Sequence, residues 1–207
     1  MEKNTLWKKG MDDHDYKRRH LFWKYPYGIR KRIMMDKVAM YSVTPCKFSE
    51  MISRIMLDFA PSTSTVVDAF ACVGGDSVEL ARKFHRVIAV ERDAERYAML
   101  RHNIDLLAPR LGVHTHCGDF LEWWDSKPDV MGSVGAVYLD PPWEDGCCVN
   151  GKPIWSVAAH LRQSLCKGSV IVLKLPPDFA VLPREATRAS SLLCNSRGTP
   201  KIKIVVI

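Results

Sequence analysis

The sequence has no run of 18 apolar residues, and its first 20 residues, MEKNTLWKKGMDDHDYKRRH, contain no apolar core of a signal peptide. We therefore predict neither a membrane span nor a secretion signal. Cysteine occurs seven times, an odd number with irregular spacing, which does not form the pattern of a disulfide framework. The expectation that follows is a reducing, intracellular setting.

Metal-binding and phosphate-binding motifs are also missing. His114, His116 and Cys117 lie close together, but no second pair of ligands follows at a recognised spacing, so we expect no metal. Neither the G-x-G-x-x-G fingerprint nor a Walker loop occurs. The sequence also shows no internal repeat, no low-complexity tract and no helix-turn-helix pattern. These absences argue against a metalloprotein and a P-loop enzyme.

Charge is unevenly distributed along the 207 residues, whose formal net charge is +7. Residues 1–40 carry 11 basic and 5 acidic side chains, and residues 147–207 carry 9 and 2. The middle, residues 41–146, is acidic, with 10 basic and 16 acidic side chains. Two basic ends suggest a polyanionic partner, of which nucleic acid is the commonest, although a merely soluble basic protein has the same composition.

Strand-like and helix-like segments alternate from residue 65 onward, which predicts an α/β fold with a doubly wound, mostly parallel sheet. The predicted strands are TVVDAF, RVIAVE, VHTHCGDF, GAVYLD, SVIVLKLP and KIKIVVI, and the predicted helices are DSVELARKFH, DAERYAMLRHNIDLLA and the segment around PIWSVAAHLRQSLC. We divide the chain into a flexible basic N-terminus (1–20), a small N-terminal helical extension (21–60) and a core domain (61–207). In the extension, Pro45 suits the first turn of a helix that Thr44 would cap.

The first strand, its turn and the following helix, VVDAFACVGGDSVELA, have the outline of a cofactor-binding turn. Gly74 and Gly75 would let the backbone approach a ligand closely. Asp68 at the strand end disfavours a pyrophosphate, because like charges would meet. It favours a cofactor with a cationic or amino-acid end, such as S-adenosylmethionine (AdoMet).

Acidic residues also follow the next three strands. Glu91 ends the second strand, 23 residues after Asp68, which is the expected place for a carboxylate that accepts hydrogen bonds from ribose hydroxyls. Asp119 after the third strand would accept from an adenine amino group, and Phe120 would pack on that ring. Each acid alone reads equally well as a solvated strand-end carboxylate, but four in phase favour an AdoMet site. Asp140 is the fourth.

The stretch VYLDPPWEDG ends a buried strand abruptly, because proline cannot continue a central ladder. It leaves the Asp140 carboxylate and the Trp143 ring on a stiff backbone at the carboxyl end of a strand, where ligands bind in open α/β sheets. The Asp140 carboxylate and the Pro141 carbonyl can accept the two N–H bonds of an aromatic amine. Trp143 offers a face on which a base stacks, and a cationic base gains further from cation–π attraction. The segment D-P-P-W resembles the [DNS]-P-P-[YFW] signature of methyltransferases that act on amino nitrogens, and this resemblance predicts methyl transfer to an amino nitrogen, driven by positioning.

Five motifs, YSVTP, VVDAFACVGGDS, RVIAVERD, CGDFLEW and LDPPW, occur in one order that resembles the trimethylguanosine synthase family, the RNA cap guanine-N2 methyltransferases. The resemblance covers roughly residues 20–180. It implies a Rossmann-like class I AdoMet-dependent methyltransferase fold and transfer of methyl to N2 of 7-methylguanosine at the RNA 5′ cap. Relatives often have serine at the position of Asp140, whereas aspartate is common in the wider class of amino methyltransferases.

The resemblance also implies roles for individual residues. It implies cofactor contacts for Thr44, Asp68, Phe70, Gly74, Gly75, Glu91, Asp119, Phe120 and Asp140. It implies that Trp143 stacks on the 7-methylguanine of the cap, and that Ser42 and Asn103 lie near the substrate. Lys174 is the candidate contact for the cap phosphates. Further candidates for the triphosphate bridge and RNA are Lys24, Arg30, Lys31 and Arg32, although each alone reads more readily as a solvated charge.

Two other functions remain open from the sequence. One is an amino-group methyltransferase of the same fold that acts on rRNA, tRNA or DNA, and the other is a catalytically inactive cap-binding module. We expect a monomer that binds capped RNA, needs no metal and no membrane, and works inside the cell. The nucleus is the predicted site, with a cytoplasmic or viral setting as the alternative.

Overall fold

Nine strands and nine helices make up the part of the chain that the computed structural model describes, residues 13–180 and 188–207. The strands are β1 (Thr65–Asp68), β2 (Arg86–Glu91), β3 (Val113–Cys117), β4 (Val134–Leu139), β5 (Cys148–Val149), β6 (Lys152–Pro153), β7 (Val170–Leu175), β8 (Ala189–Cys194) and β9 (Pro200–Val206). The helices are α1 (Asp13–Leu21), α2 (Tyr27–Arg30), α3 (Ala39–Ser42), α4 (Cys46–Leu57), α5 (Gly75–Ala81), α6 (Ala94–Leu107), α7 (Phe120–Asp125), α8 (Pro128–Met131) and α9 (Ile154–Ser164).

Seven of the strands form one sheet in the order β3-β2-β1-β4-β7-β9-β8. Strands β1, β2, β3, β4 and β7 are parallel, and β9 runs antiparallel to both of its neighbours. The predicted doubly wound, mostly parallel sheet is therefore confirmed. Strand β8 and the small β5–β6 hairpin were not predicted. The sequence of β8, ASSLLC, is short and half polar, and its residues become a strand only by pairing with β9.

Helices cover both faces of the sheet, so its central strands are buried. Every residue of β1 and of β7 is buried, Asp68 and Lys174 included. Helix α4 packs its apolar stripe against the sheet, with Ile52 and Met56 fully buried. Its capping differs from the prediction: the helix begins at Cys46, and the Thr44 hydroxyl donates to Asp76 Oδ2 at 2.7 Å instead of capping the helix. No helix of the described residues is long and apolar enough to cross a membrane.

The N-terminal extension packs on the core through an apolar cluster that joins Leu21, Phe22 and Met40 to Leu100 and Ile104 of helix α6. The predicted boundary at residue 20 therefore falls inside a helix, α1, whose last residue is buried. Residues 1–12 of the predicted flexible N-terminus lie outside the described residues.

Asn103 ties this extension to the core. Its Nδ2 donates to the Met34 carbonyl at 2.8 Å and to the Val73 carbonyl at 2.9 Å, and its Oδ1 accepts from the Met34 amide at 2.8 Å. The side chain is 1% exposed. The predicted substrate contact of Asn103 is therefore wrong, because its amide is used up by the backbone of two segments that must pack together.

Replacing Asn103 with alanine should lower the free energy of unfolding by about 2–3 kcal/mol, since three hydrogen bonds to the backbone of Met34 and Val73 are lost. Urea denaturation followed by circular dichroism measures the change. Asp105→Ala, on the exposed face of the same helix, is the matched control and should shift the free energy by less than about 0.5 kcal/mol. Equal stability of Asn103→Ala and the parent protein would contradict this assignment.

Candidate active site

A cleft of about 1800 Å³ opens at the carboxyl ends of the central strands. It crosses the junction between β1 and β4, the neighbours from which the sheet extends in opposite directions along the chain. The crevice at such a switch point is where ligands bind in open α/β sheets. Ten of the predicted site residues line it: Ser42, Thr44, Phe70, Glu91, Asp119, Phe120, Asp140, Pro141, Trp143 and Lys174. Four do not: Asp68, Gly74, Gly75 and Asn103.

The two glycines of the first turn serve packing within the protein. A Cβ on Gly74, whose φ is +91°, would come within 2.8 Å of Leu100 Cδ1. A Cβ on Gly75 would come within 3.1 Å of Val43 Cγ1. The predicted close approach therefore exists, but it is made to helix α6 and to the N-terminal extension, and neither glycine lies on the cleft wall.

Asp68 lies just beneath the cleft, whose wall begins with the next residue, Ala69. Its Oδ2 accepts from Ser77 Oγ at 2.6 Å, while its Oδ1 is buried and has no hydrogen-bond partner among the described residues. Burial raises the pKa of Asp68 to about 8, and the neighbouring Asp76 carboxylate adds to this rise. A buried oxygen without a partner requires an explanation, and a ligand that supplies a donor is one.

Asp76 is a part of the site that the sequence analysis missed. Its Oδ2 accepts from Thr44 Oγ1 at 2.7 Å and from the Tyr138 hydroxyl at 3.3 Å, and its Oδ1 is buried without a partner among the described residues. Asp76 thus joins the YSVTP element to strand β4. The signal was present, because Asp76 directly follows the two glycines and lies in the first turn of helix α5.

Glu91 lies on the cleft wall at the end of β2, as predicted. Its Oε2 accepts from the Cys72 amide at 2.9 Å and its Oε1 from the Asp93 amide at 2.8 Å. Burial raises the pKa of Glu91, and these two backbone bonds act in the opposite direction. The two amides orient the carboxylate, whose remaining lone pairs can accept from a pair of hydroxyl groups.

Asp119 begins helix α7, and both of its carboxylate oxygens have partners. Oδ1 accepts from the amides of Leu121 and Glu122 at 2.9 and 3.2 Å, and Oδ2 accepts from Asn150 Nδ2 at 2.9 Å. Asn150, in the turn of the β5–β6 hairpin, was not predicted, since no motif marks it. The adenine contact of Asp119 stays a prediction.

Phe120 and Phe70 form an aromatic pair on the cleft wall, with ring centroids 5.9 Å apart. Phe120 is 3% exposed and also packs on Trp124, so that most of its surface belongs to the core. Ser42, at the end of α3, donates to the Val38 carbonyl at 3.0 Å and is exposed. The structure thus places Ser42 at the cleft as an exposed side chain, whereas Phe120 serves mainly to pack the core.

Asp140 and Lys174 meet because β4 and β7 are parallel neighbours in register. Leu139 pairs with Leu173, so the next residue on each strand faces the other. Lys174 Nζ lies 2.6 Å from Asp140 Oδ2 and 5.3 Å from the centroid of the Trp143 ring. Burial raises the pKa of Asp140 to about 6, although the positive charge of Lys174 acts against this rise. The predicted phosphate contact of Lys174 does not fit this geometry, since its ammonium is paired and its side chain is 5% exposed.

Trp143 is half-buried and packs on the apolar clusters of both sheet faces. Its indole Nε1 is buried without a partner among the described residues. An amine-accepting carboxylate, the rigid Pro141-Pro142 pair and an aromatic ring therefore stand together at one strand end, as the motif predicts.

Comparisons with known proteins agree with this geometry. The sequence profile of the family described as Conserved hypothetical protein 95 matches residues 51–183. The chain belongs to this family. It is also 30% identical, over 174 residues, to a trimethylguanosine synthase from Schizosaccharomyces pombe, a match that spans 82% of this chain and 66% of that protein.

Solved structures show the same fold. A putative methyltransferase from Porphyromonas gingivalis W83 superposes on 93% of this chain and 47% of its own, with a TM-score of 0.75 and 20% identity. An rRNA methylase from Streptococcus thermophilus covers 75% of this chain and 93% of its own, with a TM-score of 0.54 and 13% identity. The chain thus spans less than two thirds of the length of the trimethylguanosine synthase from Schizosaccharomyces pombe and of the putative methyltransferase from Porphyromonas gingivalis W83.

The predicted Rossmann-like class I methyltransferase fold is confirmed. AdoMet is the cofactor. The site fits it: Glu91 offers an oriented carboxylate to the ribose, the Phe70–Phe120 pair offers apolar surface, and the unpartnered Oδ1 of Asp68 calls for a donor. When bound, the cofactor supplies the methyl group; the protein's residues hold the acceptor.

The ligand-free methyltransferase should lose stability as the pH rises from about 6 to about 8. Asp68 in the folded state keeps its proton up to about pH 8, whereas in the unfolded chain it ionises near pH 4, so the folded state binds more protons between these values. The free energy of unfolding, measured by urea denaturation at each pH, should fall by up to about 1.4 kcal/mol per pH unit from this group.

Asp68→Asn removes the titrating group while keeping its shape, and should flatten the pH dependence between pH 6 and 8. Asp105→Asn, on the exposed face of α6, should leave it unchanged. Identical pH profiles for Asp68→Asn and the parent protein would show that Asp68 is ionised in the folded state.

Proposed function

We propose that the protein transfers methyl from AdoMet to the exocyclic N2 of 7-methylguanosine at an RNA 5′ cap. The observation that carries this proposal is the Asp140-Pro141-Pro142-Trp143 corner, in which a paired carboxylate and a half-buried indole face one cleft. An aromatic amine placed there would donate its N–H bonds to Asp140 and to the Pro141 carbonyl. The relative from Schizosaccharomyces pombe, by its name a trimethylguanosine synthase, supports the same substrate.

The wall of the cleft that the N-terminal extension contributes, called the N-terminal wall below, supports an RNA substrate. Trp23 and Tyr41 are 56% and 74% exposed there, a high value for large aromatic side chains. The basic side chains of the cleft lining include Arg19, Lys37, Lys47 and Lys201. Exposed rings interleaved with cations suit single-stranded nucleic acid, because bases stack on the rings while phosphates meet the charges.

The basic residues proposed from the sequence lie elsewhere. Lys24 forms an ion pair of 2.5 Å with the buried Glu79, and Arg30 donates to the Trp23 carbonyl at 3.3 Å. Lys31 lies over the Tyr27 ring at 5.3 Å. None of these three residues lines the cleft, and neither does Arg32. We therefore propose that a polyanion binds along the N-terminal wall of the cleft and not along these residues.

One observation favours a second function, amino-group methylation of rRNA or tRNA. The Lys174 ammonium already lies over the Trp143 ring. A second cation stacked on this ring, such as 7-methylguanine, would be repelled by the Lys174 charge. Asp140 offsets this cost by neutralising Lys174. The structural likeness to the rRNA methylase fits this alternative as well, because the fold is shared.

Incubation with labelled AdoMet and either m7GpppA or GpppA, followed by nucleoside analysis, tests the cap proposal. We expect N2 methylation of the m7G compound alone. Trp143→Ala should raise the KM for m7GpppA roughly 5- to 150-fold, the loss of about 1–3 kcal/mol of stacking, while Trp143→Phe should retain most of the binding. Equal use of both compounds, or transfer only to uncapped rRNA or tRNA, would favour the alternative.

The aromatic wall is tested by RNA binding. Tyr41→Ala should weaken the binding of a capped single-stranded oligonucleotide by about 5-fold or more, because a stacking surface is lost. Tyr27→Ala is the matched control. Lys17 Nζ lies 4.3 Å from the centroid of the Tyr41 ring, and Tyr27, which is 58% exposed, likewise has a lysine over its ring but does not line the cleft. Fluorescence anisotropy measures both. Equal losses for the two variants would place the RNA outside the cleft.

A further inference from the structure

Lys174 is the unusual residue of the site, because it carries a charge within a strand that is otherwise apolar. Strand β7 reads VIVLKL and is buried at all six positions. The lysine itself is 4% exposed. A buried ammonium is costly unless an anion and good geometry compensate it, and Asp140 at 2.6 Å provides both.

The other titratable groups that act on Asp140 are acids. They lie on every element packed against it: Asp76 on α5, Asp68 at the end of β1, Tyr138 on β4 and Cys147 in the loop after the Asp140 motif. Burial raises the pKa of Asp140 most and the Asp76 charge adds to this rise, whereas the Lys174 charge is the largest influence that lowers it. Without Lys174, the Asp140 carboxyl would keep its proton into the neutral range.

The protonation state of Asp140 matters for chemistry on an amino group. In the transfer, the nitrogen lone pair forms the bond to the methyl carbon, the bond from sulfur to that carbon breaks with its electron pair left on sulfur, and the nitrogen then releases one proton to water. An ionised carboxylate accepts an N–H bond and stabilises the positive charge that develops on nitrogen. A protonated carboxyl offers a competing donor and no such charge.

We propose that Lys174 is a positioning residue for methyl transfer, whose ammonium keeps Asp140 ionised and binds its Oδ2, so that Oδ1 faces the target amino group. The same ammonium lies over the Trp143 ring and thereby fixes the acceptor and the stacking surface relative to each other. This inference rests on the proposed amino-group chemistry, but it holds equally for a cap and for another RNA substrate.

A titration without substrate separates the inference from the choice of substrate. In ligand-free protein with 13C-labelled aspartate carboxyl groups, the Asp140 resonance is assigned by its absence in Asp140→Asn. We expect its midpoint near pH 6 in the parent protein, above pH 7 in Lys174→Met and near the parent value in Lys174→Arg. Lys174→Gln, which keeps a donor without the charge, should also titrate above pH 7 and replaces the methionine variant if that variant fails to fold.

The pH profile of kcat, on whichever RNA the enzyme methylates, provides the second measurement. The acidic limb should move upward by about one pH unit in Lys174→Met or Lys174→Gln, so that activity at pH 6.5 falls about threefold relative to the parent. Lys174→Arg should restore the limb. Lys167→Met, at an exposed position outside the cleft, is the control for loss of a lysine.

Two results would overturn the inference. The first is an Asp140 midpoint that stays near pH 6 in every Lys174 variant. The second is a loss of kcat that is equal at all pH values with the limb unmoved, which describes a purely structural lysine. Failure of the cap proposal leaves both measurements valid, since the titration needs no substrate and the profile uses the RNA that is methylated.

Discussion

The parallel pairing of β1 with β4 is the constraint on which the site depends. The Ala69 amide donates to the Tyr138 carbonyl at 3.0 Å, so the two strands end side by side. This pairing brings the turn after Asp68 next to the Asp140 corner, although the two are separated by about 70 residues of chain. The β4–β7 register then adds Lys174. Asp68, Glu91, Asp140 and Lys174 thus come together because their strands end at one edge of the sheet.

The N-terminal extension completes the cleft from outside the sheet. Asn103 holds its backbone, and the apolar cluster on helix α6 holds its side chains. Thr44, directly before helix α4, reaches Asp76 and so links the extension to the acidic floor. The extension is therefore part of the site and not a separate appendage. It supplies exposed rings and basic residues along one wall of the cleft, whereas the core supplies acids.

Charge divides the cleft into two regions with different tasks. Its floor holds carboxyl groups of low exposure, and the Lys174 ammonium is the counterion of Asp140 at the acceptor end. Its rim carries exposed basic side chains, among them Lys37, Lys47 and Lys201, beside the exposed acids Glu144 and Asp145. A polyanion would meet the rim first and would place one base over the floor, where low exposure strengthens each polar interaction.

The sequence by itself determined the fold class, the cofactor and the acceptor corner, because these depend on local features: alternating strand and helix periods, an acid at each strand end and a proline-stiffened motif. It did not determine which of those residues face the ligand. Gly74 and Asn103 look like ligand-binding positions, but tertiary packing uses them to hold helix α6 and the extension. Asp76, Asn150 and the pairing of Lys174 with Asp140 depend on contacts between segments that are distant in the chain. Strand register and burial decide such contacts, and no single stretch of residues determines either of them.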